Sequence, residues 1–527
     1  MSIPLLASVH GFNETFIQIL LLLAVGVAIT LLAHRFKQPY SIALVLMGLL
    51  FGLVELPVLE EAEQFITRSE VFQVMIISIF LPTLLGEATL NIPYAMIKKY
   101  HKPILVLSFG GTFLSFILIG WGSYTFLSLP LVVSFTFAAL MCPTDPISVL
   151  SIFKTLGVPK KLTMIIEGES LFNDGIAVVL FSISSVYLLT YIDMGWAGLG
   201  AGTVLFLQFV LGGLAVGGIL GILSSLLLKT IDNYPLEITI SLLLFFGSFF
   251  IAELMHVSGV IAVVVAGLIF GNYGSSIGMS PVTKLNIKNF WDVIAFIANS
   301  LIFLMVGLEI NHISFGDKWG LVLMAIVIVI LSRSIALYAS TLFIKTITLR
   351  EKHLLNWGGL KGSLSIALAL SLPPTFEARE DVLMLTFSVV LFSLLVQGIT
   401  LKPLISMLGI LPKDEGIDQY EDTVARIHRI RVSLKDWENM KEDNFITEEE
   451  YRELSTKATI HLKELRNDLA SLYEQHPHIK QEQLRDAERD ALYTQYQNIE
   501  ALLKREIISE SVANKQKREI LEEIERN

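Results

Sequence analysis

Charge is scarce in most of this sequence. Charged residues make up 17% of the 527-residue chain, whereas a soluble domain carries about 25%. Long stretches before about residue 410 hold almost none, and the mean hydropathy is +0.64. These values exclude an ordinary globular enzyme and indicate a protein that crosses a membrane several times.

Cysteine and the local motifs of soluble enzymes are lacking as well. The single Cys142 excludes an internal disulfide, and its apolar surroundings are typical of a small core residue. The sequence has no P-loop, no Cys/His metal spacing and no Gly-x-Ser-x-Gly elbow. We therefore expect no enzyme active site and no bound cofactor, and the sequence does not point to nucleic acid as a partner.

Hydrophobic stretches predict thirteen membrane-spanning helices, because about 20 mostly apolar residues are needed to cross the hydrocarbon. The first stretch is long and has no basic region before it, so we interpret it as a span rather than a cleaved signal. The predicted spans cover residues 13–34, 41–56, 71–92, 103–126, 130–153, 162–190, 203–228, 235–254, 257–273, 290–310, 319–344, 353–372 and 382–408.

The distribution of Lys and Arg predicts the orientation. Connections after even-numbered spans hold only Arg68, Lys318 and Arg379, and the other basic residues between spans follow odd-numbered ones. Because Lys and Arg accumulate in cytoplasmic loops, we expect the N-terminus outside and the C-terminal part in the cytoplasm. Short loops and absent targeting signals favour a bacterial inner membrane, with lipid as the surrounding partner.

The composition changes near residue 412. This change predicts a membrane domain over residues 1–411 and a helical cytosolic tail over residues 412–527, joined by a linker at 412–416. Alternating acids and bases favour a solvated tail involved in assembly over a ligand-binding regulatory domain.

Helical patterns recur along this tail. Thr447 and Glu450 form a capping-box pattern that opens a helix, and Pro477 ends it. A second helical pattern runs from about 479 to 506, and a third begins near Ser511.

Carboxylates occur well inside the sixth predicted span. Ser170 and Asp174 are four residues apart and share one helix face, and Glu169 and Asn173 share the next. A charge at membrane depth is costly and is by default functional. We interpret Asp174 as the shared seat of a cation and a proton that the protein exchanges across the membrane.

The fifth predicted span is interrupted by two prolines. Pro143 and Pro146 free backbone carbonyls, and they flank Thr144 and Asp145. Free backbone groups at membrane depth are tolerated where they line a cavity or are buried in protein. We expect a broken helix whose carbonyls and half-helix ends meet the transported ion.

The twelfth predicted span is interrupted in a similar way. Gly358, Gly359 and Gly362 surround Lys361, and two interrupted segments in corresponding halves mark a transporter site at the midplane. The fifth and twelfth spans run in opposite directions and fit an inverted repeat. We expect Lys361 and Asp145 to neutralise the facing half-helix ends.

Other charged residues within spans need partners or have two interpretations. Arg333 is expected to pair with Glu169, and Glu167 is the second choice. Glu87 is either an acid on the ion path or an interfacial residue. The remaining carboxylates lie near predicted span ends and are interpreted as interfacial anchors; they are Glu237, Glu253, Asp292 and Glu309.

The motifs at residues 143–146, 168–174, 258–267 and 358–362 occur in an order that resembles the sodium/proton exchangers. These form the monovalent cation:proton antiporter-1 family, which includes the bacterial NhaP-type antiporters. The resemblance covers about residues 10–410 and not the tail. It implies thirteen helices in two inverted repeats, a homodimer, and an elevator-like movement of a core bundle.

The resemblance also implies roles for individual residues. Asp174 would bind the ion and the proton, assisted by Ser170, the Thr144 backbone and Asp145. Asn173 occupies the place where electrogenic relatives carry a second Asp, so one sodium would exchange for one proton.

The remaining family positions concern charged side chains. Glu87 falls where the family has an acid on its third span, and Glu169 would pair with Arg333. Lys361 departs from the Arg that relatives often carry, which keeps the charge but removes the planar donor fork.

Competition of a cation and a proton for one carboxylate would therefore drive the exchange. Hard oxygen ligands suit sodium or lithium, and a larger cavity would admit potassium. Three alternatives remain open at this point: a potassium/proton exchanger, a sodium-coupled organic anion symporter, and a membrane-anchored sensor that works through its tail.

Overall fold

The computed structural model describes most of the chain in two compact units. The described residues are 3–36, 39–54, 76–231, 233–279, 281–309, 318–342, 344, 346–411, 415–504 and 507–526. The units divide between Leu411 and Pro412, where the composition changes. The predicted basic positions Lys37, Arg68 and Lys345 and the first five residues of the third predicted span lie outside the described residues.

The described part of the membrane unit is helical and contains no strand, which confirms the predicted helical fold class. Its helices are α1 (Ile3–Arg35), α2 (Tyr40–Val54), α3 (Leu81–Asn91, after a π-helical turn at Ile76–Phe80), α4 (Tyr94–Phe126), α5 (Leu131–Leu140), α6 (Ile147–Leu156), α7 (Lys160–Asp193), α8 (Trp196–Leu228), α9 (Tyr234–Leu254), α10 (Gly259–Ile277), α11 (Pro281–Glu309), α12 (Trp319–Ser340), α13 (Leu349–Trp357), α14 (Ser363–Leu370) and α15 (Arg379–Leu408).

Two predicted spans are each built from a pair of half-helices. The fifth consists of α5 and α6, and the twelfth consists of α13 and α14. With each pair counted once, the described residues of this unit form thirteen helical segments that match the predicted spans in order. Eight of the described helices are long and apolar enough to cross a membrane unaided. Helices suit this environment because they satisfy their own backbone hydrogen bonds.

Both interruptions occur at the residues that predicted them. Helix α5 ends at Leu140 and α6 begins at Ile147, so Pro143 and Pro146 lie in the gap. Proline has no backbone N–H, and its ring clashes with the preceding turn. The second gap, between Trp357 and Ser363, contains the three glycines and Lys361.

The core of the membrane unit includes a buried aromatic cluster. The Trp291 ring of α11 lies 4.8 Å from Phe245 of α9, and its Nε1 donates to Ser241 Oγ over 2.9 Å. Glu237 lies on α9, like Ser241 and Phe245, and its side chain is fully buried. Its interpretation as an interfacial anchor is therefore wrong. Its place in the first turn of α9 puts the carboxylate at a positive helix end.

The described residues of the C-terminal unit form four helices. They are α16 (Glu415–Glu442), α17 (Glu448–Gln475), α18 (Pro477–Lys504) and α19 (Glu510–Arg526). Helices α16 and α17 pack as a hairpin, with the Tyr420 and Tyr473 rings 5.9 Å apart. Helix α16 was not expected from the sequence. The expected linker at 412–416 lies outside the described residues except for Glu415 and Gly416, which are helical.

Capping chemistry fixes the starts of the tail helices. Thr447 and Glu450 form a full capping box at the start of α17, as their spacing predicts. Pro477 ends one predicted pattern and occupies the first residue of α18, where its missing N–H costs nothing. Part of the predicted apolar stripe of α17 is buried within this unit, namely Leu462, Leu465 and Leu472.

Candidate functional site

The two interruptions cross and are joined by a backbone hydrogen bond. The N–H of Asp145 donates to the carbonyl oxygen of Leu360 over 2.8 Å. The N–H of Lys361 donates to Ser393 Oγ of α15 over 2.9 Å. The polar backbone groups of these extended segments are therefore hydrogen-bonded to the other interruption and to a neighbouring helix. Within a membrane, such groups need partners inside the protein.

The charged side chains at the crossing have signs opposite to those of the half-helix ends beside them. Asp145 Oδ1 accepts from the N–H of Ile147, the first residue of α6, over 2.9 Å. Lys361 Nζ donates to the carbonyl oxygen of Pro143, beyond the C-terminal end of α5, over 3.1 Å. An acid therefore lies at a positive helix end and a base near a negative one.

Gly362 allows the two interruptions to approach each other. A Cβ at this position would overlap Cβ and Oδ2 of Asp145. Gly362 directly precedes α14, so the Asp145 carboxylate lies beside the start of a second half-helix. Only a residue without a side chain fits here, and this explains one of the three glycines that predicted the break.

Helix α7 brings its polar face against the first interruption. Thr144 Oγ1 lies 2.9 Å from Ser170 Oγ and accepts from Asn173 Nδ2 over 2.8 Å. The backbone N–H of Thr144 also lies close enough to the Asp174 carboxylate to act on it electrostatically. The structure thus places four of the predicted ion-binding residues, Thr144, Ser170, Asn173 and Asp174, in one connected cluster.

This cluster retains oxygen atoms that can bind a cation. Asp174 Oδ1 and Asn173 Oδ1 are buried and accept no hydrogen bond from the described residues. Asp145 and Lys361 are the charged groups that act on Asp174 electrostatically. Carboxylate, amide and hydroxyl oxygens are hard ligands, so the donor set suits a hard cation rather than a thiophilic metal.

Glu169 and Arg333 form a buried ion pair beside the cluster. Glu169 Oε1 lies 2.5 Å from Arg333 Nη1, and the two residues are 2% and 8% exposed. A Cβ on Gly359 would lie only 2.9 Å from the Arg333 guanidinium, so this glycine makes room for it. Glu167, the second choice of partner, is instead attracted by Lys288 of α11.

Glu87 has its own partners outside the four residues of the Asp174 cluster. Asn91 Nδ2 donates to Glu87 Oε1 over 2.5 Å, and Asp292 of α11 is close enough to act on the same carboxyl group electrostatically. Asp292, interpreted from the sequence as an interfacial anchor, thus lies near a second acid. Glu87 and Asp292 are distant in sequence, and no local pattern could have shown their closeness.

Sequence comparisons find related membrane proteins along most of the chain. The family model "Sodium/hydrogen exchanger, transmembrane" matches residues 19–407. The chain is 51% identical over 502 residues to the Na(+)/H(+) antiporter NhaG of Bacillus atrophaeus, covering 95% of this chain and 96% of that relative. It is 60% identical over 402 residues to the Na(+)/H(+) antiporter NhaH of Halobacillus dabanensis, covering 76% of this chain and 100% of that relative.

A solved structure has the same fold. The sodium proton antiporter MjNhaP1 from Methanocaldococcus jannaschii at pH 8 matches with a TM-score of 0.62 and 20% sequence identity, covering 75% of this chain and 99% of that chain. The resemblance inferred from the motifs is thereby confirmed. This chain is a multi-pass membrane protein and belongs to the sodium/hydrogen exchanger family.

Proposed function

We propose that this protein is an antiporter that exchanges cytoplasmic Na⁺ for external H⁺ at Asp174. The observation that carries the proposal is the cluster of Thr144, Ser170, Asn173 and Asp174 against the crossed half-helices, with an Asp174 oxygen left without a hydrogen-bond donor among the described residues. The antiporter relatives support the same activity.

The buried charges favour an exchange of one ion for one proton. Glu169 and Arg333 neutralise each other, and Asp145 and Lys361 carry opposite charges at the crossing. After these two pairs, the negative charge of Asp174 remains without a counter-charge in this group. The neighbouring Asn173 is neutral and adds no charge. Either one Na⁺ or one H⁺ therefore brings this group of side chains to neutrality. Because an uncompensated charge is costly at membrane depth, the loaded states cross and the bare carboxylate does not.

Each side chain of the cluster has a separate task in this mechanism. Asp174 exchanges its proton for the cation. The Ser170 and Thr144 hydroxyl groups supply neutral oxygens, and the Asn173 amide holds Thr144 in place. The ion pair of Glu169 and Arg333 fixes α7 against α12 and does not touch the ion. Movement of this group past the rest of the membrane unit then gives alternating access.

The assembly and the location belong to the same proposal. The family resemblance supports a homodimer. The bias of Lys and Arg toward connections after odd-numbered spans supports an N-terminus outside and a tail in the cytoplasm. A bacterial inner membrane fits these features.

Proton flux in proteoliposomes tests this function. Purified protein is reconstituted with an imposed pH gradient, which is then challenged with Na⁺, Li⁺ or K⁺ while the membrane potential is clamped at different values. We expect Na⁺ to dissipate the gradient at a rate independent of the potential. Dissipation by K⁺ alone would make the protein a potassium/proton exchanger. A rate that follows the potential would contradict the one-for-one exchange.

A further inference from the structure

Helix α15 contains a π-helical turn at Ser393–Gln397 with a polar side chain at each end. Turns of this kind frequently occur at functional sites. Ser393 is 1% exposed and Gln397 is 8% exposed, so both side chains are buried within the membrane unit. Buried polar groups are costly unless they are hydrogen-bonded, and the hydrogen bonds of this pair lead to the second interruption.

The two side chains form a hydrogen-bonded chain with a fixed direction. Ser393 Oγ donates to Gln397 Oε1 over 2.6 Å, which uses the only proton of the hydroxyl group. Another buried serine on the same helix, Ser388, instead donates to the Met384 carbonyl oxygen of the preceding turn over 2.7 Å. Gln397 therefore turns the lone pairs of Ser393 toward the Lys361 N–H, which donates to them over 2.9 Å.

The N–H that Ser393 accepts belongs to a peptide group that is also hydrogen-bonded on its other side. The peptide between Leu360 and Lys361 carries this N–H and the Leu360 carbonyl group, whose oxygen accepts from the Asp145 N–H over 2.8 Å. Because a peptide group is planar and rigid, α15 and the first interruption hold one unit from two sides. Ser393 therefore orients the carbonyl group that holds Asp145.

The second interruption in turn holds the segment that contacts α7. Thr144 Oγ1 lies 2.9 Å from Ser170 Oγ. The residue after Thr144 is Asp145, whose N–H is bonded to the oriented peptide. The residue before it is Pro143, whose carbonyl oxygen accepts from Lys361 Nζ over 3.1 Å. Both chain neighbours of Thr144 are therefore bonded to the second interruption.

We propose that Ser393 and Gln397 are positioning residues that set the cation selectivity of the Asp174 cluster. They orient the Leu360–Lys361 peptide, and this peptide sets the spacing between Thr144 and the Asp174 carboxylate. Selectivity between cations depends on the size and the flexibility of the site. A smaller cation needs a closer approach of its ligands, so a looser crossing weakens the binding of Li⁺ more than that of Na⁺. The proposal rests on the proposed antiport and adds what determines the fit of the ion.

Ser393→Ala removes the acceptor of the Lys361 N–H with little change of volume. Loss of one hydrogen bond should raise the apparent KM for Na⁺ about twofold to tenfold. The apparent KM for Li⁺ should rise by a larger factor, with little change in the maximal rate per folded protein. A role limited to folding would lower the amount of folded protein and leave both KM values as they are in the wild type.

The experiment measures Na⁺-driven and Li⁺-driven proton flux in everted vesicles, normalised to the amount of folded protein. Ser388→Ala is the matched control, because Ser388 is a buried serine of α15 whose hydroxyl group donates within the helix. We expect a higher ratio of the Li⁺ KM to the Na⁺ KM for Ser393→Ala, and the wild-type ratio for Ser388→Ala. Unchanged KM values for Ser393→Ala, or an equal rise for both cations, would overturn the proposal.

A second variant keeps the test decisive if Ser393→Ala does not fold. Gln397→Met keeps a long unbranched side chain but removes the acceptor of the Ser393 hydroxyl group, and it should raise the same ratio. Because Gln397 acts through Ser393, the double variant should show the ratio of Ser393→Ala alone. An unchanged ratio for Gln397→Met, or effects that add in the double variant, would overturn the proposal.

The wild type separates this proposal from the antiport itself. Absence of cation-driven proton flux in the wild type would refute the antiport and, with it, the role of the two residues. Normal wild-type flux together with unaltered KM values in both single variants would refute only the positioning role of Ser393 and Gln397.

Discussion

The backbone N–H of Asp145 donates to the carbonyl oxygen of Leu360, and this hydrogen bond joins two helix interruptions that are far apart in sequence. The two interruptions are complementary: one offers free backbone groups, and the other gives them room to come close. The prolines of the first leave an extended segment with free backbone groups, and the glycines of the second let that segment approach. The ion cluster is assembled on this crossing, so its geometry depends on the closeness of the two segments.

Gly362→Ala should strongly reduce transport. The added Cβ would overlap the Asp145 Cβ and Oδ2, and a Cβ is too close to the backbone to swing aside. These contacts would be far shorter than 3.0 Å, and real Cβ atoms essentially never come closer than that to another heavy atom. The two interruptions must then separate, which disturbs the Asp145 to Leu360 hydrogen bond. Proton flux in vesicles, normalised to the amount of folded protein, should fall at least about tenfold, because small misplacements of reacting groups are costly.

Gly247→Ala is the control for this substitution. A Cβ at Gly247 of α9 would meet no atom within 4 Å, so transport should stay near the wild-type rate. Normal flux for Gly362→Ala would show that the crossing tolerates expansion.

The Glu169 and Arg333 pair should be needed for stability rather than for ion binding. Glu169→Gln leaves the Arg333 guanidinium buried without its counter-charge, and breaking one half of a buried pair costs about 3–5 kcal/mol of unfolding free energy. Thermal unfolding in detergent, followed by tryptophan fluorescence, should show a large drop in the transition temperature. The double variant Glu169→Leu with Arg333→Met should recover much of it, because neither charge remains.

An exposed pair provides the comparison. Glu453 and Lys457 in α17 are 2.6 Å apart and both exposed, so Glu453→Gln should leave the transition temperature nearly unchanged. Equal effects of Glu169→Gln and Glu453→Gln would contradict the assignment of the buried pair as a structural element.

The capping box of α17 should make the start of that helix sensitive to acid. The backbone N–H and the hydroxyl of Thr447 both donate to the Glu450 carboxylate, and they hold its pKa below the usual 4.5. Because the folded-state pKa is lowered, this stabilisation is present above about pH 4.5 and is lost as the pH falls through the lowered value. The protection of the backbone amides at residues 447–451 against hydrogen exchange, relative to their intrinsic rates at the same pH, should therefore fall at the acid end of that window.

Two variants check this assignment. Thr447→Ala should lose about 1 kcal/mol of helix stability at neutral pH and should remove most of the acid sensitivity. Thr456→Ala is the control on the same helix, since the Thr456 hydroxyl donates only to the Arg452 carbonyl oxygen. Identical exchange at 447–451 in the wild type and Thr447→Ala would refute the cap.

Removal of residues 412–527 should leave exchange activity in place. The Halobacillus relative aligns over its whole length with 402 residues of this chain, which is close to the size of the membrane unit. The ion cluster and the crossing lie within residues 1–411. Flux in vesicles should persist with at most a changed rate or pH range. Complete loss of flux from a folded, inserted truncation would favour the sensor alternative.

The fold and much of the cluster could be predicted because their signals are local. Pro143, Pro146 and Gly362 interrupt apolar runs where the helices break, and Ser170 and Asp174 are one turn apart on α7. The Thr447 capping box is readable for the same reason. The closeness of Asp292 to Glu87 and the burial of Glu237 were not predicted, because each depends on helices that are remote in sequence. Helix α16 was missed because its apolar residues are few.

The central claim is that Na⁺ and H⁺ share Asp174. The most direct measurement is Na⁺-driven proton flux in everted vesicles for the wild type, Asp174→Asn and the control Asp193→Asn, an exposed acid at the far end of the same helix. We predict that Na⁺ dissipates an imposed pH gradient in the wild type and in Asp193→Asn, and that Asp174→Asn, although folded and inserted, shows no Na⁺-dependent flux. Full exchange by Asp174→Asn would contradict the mechanism.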